Sequence, residues 1–163
     1  MIKRAGIFFC FTLFLMCSNI VHSHPVDNKE LQSVLQDLVS WIYEQNHFNY
    51  QNISPPNIKI INKNKLTSLA FGNELHLAEE KRFDDVLGLY NFKNNTIYIS
   101  HELDINSKHG QSILLHELVH HFQYKSGEAN KVTHISQLEP YAYFLERKFN
   151  RQYPLLASNQ HFH

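Results

Sequence analysis

The chain has 163 residues, with 15 lysines and arginines, 15 aspartates and glutamates, and 12 histidines. That length builds one compact domain with a real core, and not two. The balanced charge gives no electrostatic case for nucleic acid or for an anionic membrane surface, although a modest fall in pH would charge the histidines and make the chain cationic.

Residues 1–23 read as a removable leader. Lys3 and Arg4 precede an apolar run from Ala5 to Cys17, and Val21 to Ser23 close the segment with short residues. A charged start, a short apolar stretch and a small-residue exit describe a secretory signal peptide, with cleavage expected after Ser23. The run falls short of the about 20 apolar residues that a membrane span needs. The expectation is a secreted or periplasmic protein that leaves the membrane after cleavage, with residues 24–163 as its one domain. Both cysteines, Cys10 and Cys17, lie in the leader. The remaining chain has no thiol for a disulfide or a metal, so it must rest on its core, or on its core plus a metal.

Along the domain, Leu31, Val34, Leu35, Leu38, Trp41 and Ile42 recur at helical spacing and predict an amphipathic helix over 28–47. Consecutive prolines at 55 and 56 end that pattern. "NIKII" (57–61) reads as a short strand, and 62–80 mixes strand-like and helix-like pieces. "VLGLYNFKNNTIYIS" (86–100) is a β-hairpin about "KNN", since asparagine tolerates the positive φ of tight turns. A long helix is expected over 105–125, stopped at Gly127, and another over 136–153, stopped by Pro154, with a frayed tail. There is no internal repeat, low-complexity stretch or glycine-rich phosphate loop. Helix, strands, helix and helix in that order imply a small α+β domain, with an antiparallel or mixed sheet packed on the last two helices.

The chemistry concentrates in "LLHELVHHFQ" (114–123), where His116, Glu117 and His120 spell H-E-x-x-H. Residues four apart on a helix point the same way to within about 40°, so both imidazoles can reach one ion, and zinc accepts neutral imidazole. Glu117, about 100° round, stands beside that ion as a general base for water. In a chain with 12 histidines the pattern has a chance likelihood of roughly one in twenty, so alone it is suggestive and its surroundings must decide. Leu114, Leu115, Leu118, Val119 and Phe122 share one apolar face, which leaves the two histidines at its edge where a cleft can form. His121 points away from the ion and reads as a supporting or surface residue.

Two imidazoles hold zinc weakly, so a third protein ligand is required. The next helix offers Glu139 and Glu146, about 10 Å apart along its axis, and only one can serve. Glu139 is preferred because it flanks the stripe Leu138, Ala142, Leu145 and Phe149, where small Ala142 allows close helix approach. A competing reading makes "SQLE" (136–139) a capping box that occupies Glu139. Glu146 is the reserve.

"HELVHHFQ" followed by "LEPYAYFLE" (138–146) resembles the gluzincin branch of the zincin metallopeptidases, most closely its small bacterial secreted members. The resemblance covers the two helices and, more loosely, the hairpin before them. It implies a minimal zincin-like fold, zinc at His116, His120 and Glu139, Glu117 as base, and a peptide or protein substrate paired with an edge strand near 87–92. It departs from the larger gluzincins in the short chain and in Pro140 directly after the supposed ligand. Tyr143 and His134 are candidates for stabilising an oxyanion, and Tyr90 and Tyr98 for lining the cleft. The alternative is a non-catalytic exported zinc-binding protein, with His101, His109, His134, His161 and His163 contributing.

Overall fold

The structure, a computed structural model, describes residues 28–45, 53–72 and 86–159, with side chains to residue 153. The expected leader lies outside these residues. Four helices and one sheet make an α+β domain: α1 (Asn28–Glu44), β1 (Asn57–Ile61), α2 (Lys63–Phe71), β2 (Gly88–Asn91), β3 (Thr96–Ser100), α3 (Lys108–Lys125) and α4 (Glu139–Asn159). No helix among the described residues is long and apolar enough to cross a membrane.

The sheet is mixed, in the order β1-β3-β2. β1 runs parallel to β3, and β2 antiparallel to it. Every residue of β3 is buried, as a strand covered on both faces and both edges must be. The hairpin turn closes on Asn95 at φ 54°, and its amide oxygen accepts the Tyr90 hydroxyl at 2.6 Å. Within 62–80, the part described resolves as α2, started by Asn62, whose side chain accepts from the Lys65 N–H at 2.8 Å.

α3 is the centre of the molecule. Eleven of its 18 residues are buried, among them Leu114, Leu115, Leu118, Val119 and Phe122, which meet the stripe on α1 and Ala142, Leu145 and Phe149 on α4. Burying each large apolar side chain contributes about 1.5–3 kcal/mol, so this three-helix contact supplies much of the fold's stability. Trp41 closes its far end, edge-on to Phe149 at 5.4 Å, with its indole N–H donated to Gln152.

α3 begins at Lys108 rather than at Ile105, because Ser107 caps it by accepting from the Gly110 N–H at 2.9 Å. It ends at Lys125, with Gly127 at φ 78° beyond it. α4 corrects both expected boundaries. A separate 3-10 turn occupies Ile135–Leu138, and α4 starts at Glu139 with Pro140 in its first turn, where no intrahelical N–H is needed. At the other end the helix runs through Pro154 to Asn159, forgoing the one hydrogen bond that proline cannot donate.

The loop before α3 is pressed onto the helix at Gly110. A Cβ there would meet the Asp104 carbonyl oxygen at 1.9 Å. Alanine normally gains about 1 kcal/mol over glycine inside a helix, but this clash with backbone is larger. Gly110→Ala is therefore expected to lower stability by about 2 kcal/mol, read from urea or thermal unfolding; equal or higher stability would contradict the packing described.

Candidate metal centre

Three side chains from two adjacent helices converge beside the core. His116 Nε2 and His120 Nε2 are 3.2 Å apart. His116 Nε2 is 3.2 Å from one Glu139 oxygen, and His120 Nε2 is 3.2 Å from the other. With one ligand atom taken from each residue, all lie within 4.8 Å of one another, so the group is able to hold a metal ion. The histidines share an edge of α3 because they are four residues apart, and α4 brings Glu139 across because Ala142 and Leu145 are fully buried against α3.

The competing capping role for Glu139 is taken by other residues. His134 caps the 3-10 turn by accepting from the Ser136 N–H, and the Gln137 side chain accepts in return from the His134 N–H at 3.2 Å. Glu139 is thereby left for the histidines. This also places His134 in a structural role.

Each imidazole is held from behind. His120 Nδ1 lies 2.9 Å from the Gln123 side-chain oxygen, and the Gln123 amide donates to the Leu138 carbonyl at 3.0 Å. His116 Nδ1 lies 3.2 Å from a Glu146 oxygen. An imidazole that donates through Nδ1 presents its Nε2 lone pair outward, which orients both rings for one ion. Glu146, the reserve ligand, thus sits on the far nitrogen of His116 and outside the ligand cluster. Gln123 escaped notice in the sequence, although it lies three residues after His120 on the same helix face.

Glu117 is buried at the wall of a cavity of about 500 Å³, which is also lined by Gly88, His109, Ile113, Tyr143 and Glu146. Burial pushes its carboxyl up from the usual range, and His120, His116 and the Tyr90 backbone N–H only partly oppose this. The strand reaches it because Gly88 has no side chain: a Cβ there would stand 2.8 Å from Ile113 Cγ2 and 3.0 Å from Glu117 Cγ. Tyr143 lies with its ring centroid 4.7 Å from that of His116, and its phenol is pushed up by burial and then by Glu139, Glu146 and Glu117.

Other candidates lie elsewhere. His121 is fully buried, 2.8 Å from the Ser54 carbonyl oxygen and 3.0 Å from the Asn95 side chain. It is a core residue tying α3 to the hairpin turn. Tyr90 and Tyr98 bond to Asn95 and Asn94 within the hairpin. His101 is exposed near the end of β1, and His161 and His163 fall outside the described residues.

These features define a small α+β domain with an intrahelical histidine pair and a carboxylate from the following helix. The chain belongs to the family described as Domain of unknown function (DUF6647), which it matches over residues 27–158. No curated protein and no solved structure matches it.

Without metal, a proton takes the place of the ion. Burial alone would lower the pKa of His116, but hydrogen bonds to Glu139 and Glu146 and the charge of Glu117 outweigh it and push the pKa up to about 9. Hydrogen bonds from His116 and then from His120 hold the Glu139 carboxyl well below the usual range. A raised folded-state pKa stabilises the metal-free fold fully below about 6.5, and that contribution is lost as pH rises through 9. Metal must displace this proton, so its apparent affinity should rise about tenfold per pH unit from 6.5 to 8.5, with close to one proton released. Calorimetry in buffers of different ionisation enthalpy measures both; an affinity flat across this range would contradict the arrangement. Gln123→Met removes the support behind His120, and a 10- to 100-fold weaker metal affinity in the same titration is expected.

Proposed function

We propose that the protein is an exported zinc-dependent metallopeptidase, with His116, His120 and Glu139 as zinc ligands and Glu117 as general base. The observation that carries this reading is the buried Glu117 carboxylate on the cavity wall, directly beside a cluster of two imidazoles and one carboxylate. A structural zinc site is closed by four protein ligands, whereas three leave a position for chemistry. The 3.2 Å between the two Nε2 atoms fits the roughly 3.3 Å edge of a tetrahedron built on bonds of about 2.0–2.1 Å, and each imidazole has a Glu139 oxygen at 3.2 Å. Export rests on the leader-like residues 1–23.

When bound, zinc supplies Lewis acidity toward the scissile carbonyl and the attacking water. Glu117 takes the proton from that water and returns it to the leaving amine, a shuttle for which a carboxyl with raised proton affinity is suited. The Tyr90 N–H bond holds Glu117 in place while it does so. Leu87 turns its carbonyl inward to Ser100, so the alternation of antiparallel pairing turns the Gly88 backbone outward, along the cavity. There it offers an edge to an extended peptide, with no Cβ in the way. Tyr143 is the hydroxyl donor among the lining residues and the candidate for stabilising the oxyanion.

The test is Glu117→Gln, which keeps shape and removes the base. Metal content should be retained, while hydrolysis of casein or of a mixed peptide pool should fall by about two to four orders of magnitude. Wild-type protein that holds metal and hydrolyses no peptide would instead establish the non-catalytic metal-binding alternative.

A further inference from the structure

Glu146 has one oxygen that the metal cluster does not use. Its Oε2 meets His116 Nδ1 at 3.2 Å, and the side chain remains 25 % exposed on the cavity wall. Its Oε1 lies 3.5 Å from the Ser112 hydroxyl, which already donates to the His109 carbonyl at 3.1 Å. A hydroxyl has a single proton, so Oε1 keeps its acceptor capacity. Among the described residues, no lysine or arginine forms an ion pair with Glu146.

The local charge agrees. Glu146 and Glu117 both line the cavity, with Glu139 in the neighbouring cluster, and no lysine or arginine is among the lining residues. The same cavity is lined by the apolar side chains of Val86, Leu87 and Ile113 and by the Tyr143 ring. A negative end, an aliphatic flank and an aromatic face together match one kind of substrate side chain.

We propose that this cavity binds a basic substrate side chain, lysine or arginine, whose aliphatic stem packs on Val86, Leu87 and Ile113 while its cationic head meets Glu146. The inference deepens the peptidase reading and rests on it for its setting, but the pocket's preference follows from charge and shape.

Binding is measured first, apart from turnover. Blocked alanine–serine hexapeptides with one arginine, norleucine or glutamate, placed at each position in turn, are titrated into the Glu117→Gln variant by calorimetry. The best arginine peptide should bind about tenfold tighter than its norleucine counterpart, and the glutamate peptide weakest. Norleucine binding as tightly as arginine would overturn the proposal, and this comparison needs no change at Glu146. Adding Glu146→Gln keeps an acceptor for His116 and should erase the arginine advantage; an advantage that survives also overturns it. Cleavage of the same peptides by the wild type separates the two claims. Cuts next to arginine support both. Cuts with no basic preference sink the pocket and leave the peptidase. Arginine-selective binding with no peptide cut sinks the peptidase and leaves the pocket.

Discussion

Gln123 holds His120 by its Nδ1 at 2.9 Å and Glu146 holds His116 by its Nδ1 at 3.2 Å, so both rings turn Nε2 toward the same point. The imidazole torsion is broad on its own, and a ring without such a partner spends little time aimed at an ion. The two supports differ in kind. Gln123 reaches on to the Leu138 carbonyl, immediately before Glu139, so one side chain sets both the orientation of a ligand and the position from which the third ligand departs. Glu146 brings a charge instead, which strengthens the donor character of His116, and its side chain lines the cavity.

α3 can bury so much polar surface because its polar groups are matched. An unpaired buried polar group costs a few kcal/mol, and a charge more. On this helix Glu117 accepts from Tyr90 N–H, His120 meets Gln123, and His121 meets Ser54 and Asn95. These bonds run in two directions. Glu117 and His121 tie α3 to the hairpin, whereas His116, His120 and Gln123 tie it to α4 and the turn before it. The cavity lies where the two sets separate, and this is why a helix so buried still presents chemistry to solvent.

What was legible in the sequence followed from spacing within one element. The stripe on α1, the strand 57–61, the hairpin and the H-E-x-x-H pair depend on periods of two or 3.6 residues, and local order is enough to place them. Glu139 required a contact across a loop, and small Ala142 beside it was the clue. The sequence puts the start of α4 too early because "SQLE" satisfies the capping pattern as well as the box that forms, His134 with Gln137, two residues earlier. Pro154 reads as a stop in the sequence, yet the helix passes it. A helical wheel shows one helix alone and leaves His121 a supporting or surface residue; only the hairpin folded over that side makes it a buried one. Glu146 shares a face with Glu139, but which nitrogen of His116 it meets depends on how the two helices approach.

The cluster also bears on how the domain holds together. Residues 24–163 contain no cysteine, so no disulfide can join α4 to α3. In the metal-free protein the protonated His116 ring bridges Glu139 through Nε2 and Glu146 through Nδ1, two points on one face of α4, and an ion would replace the Nε2 proton alone. A ligand at a thousand times its dissociation constant adds about 4 kcal/mol to the folded state, which equals or exceeds the 2–4 kcal/mol typical of a disulfide. An ion bound by this cluster would therefore act as a cross-link between α3 and α4. Because α4 contributes Tyr143 and Glu146 to the cavity as well as Glu139 to the cluster, an ion bound there would steady the cavity wall together with the cluster.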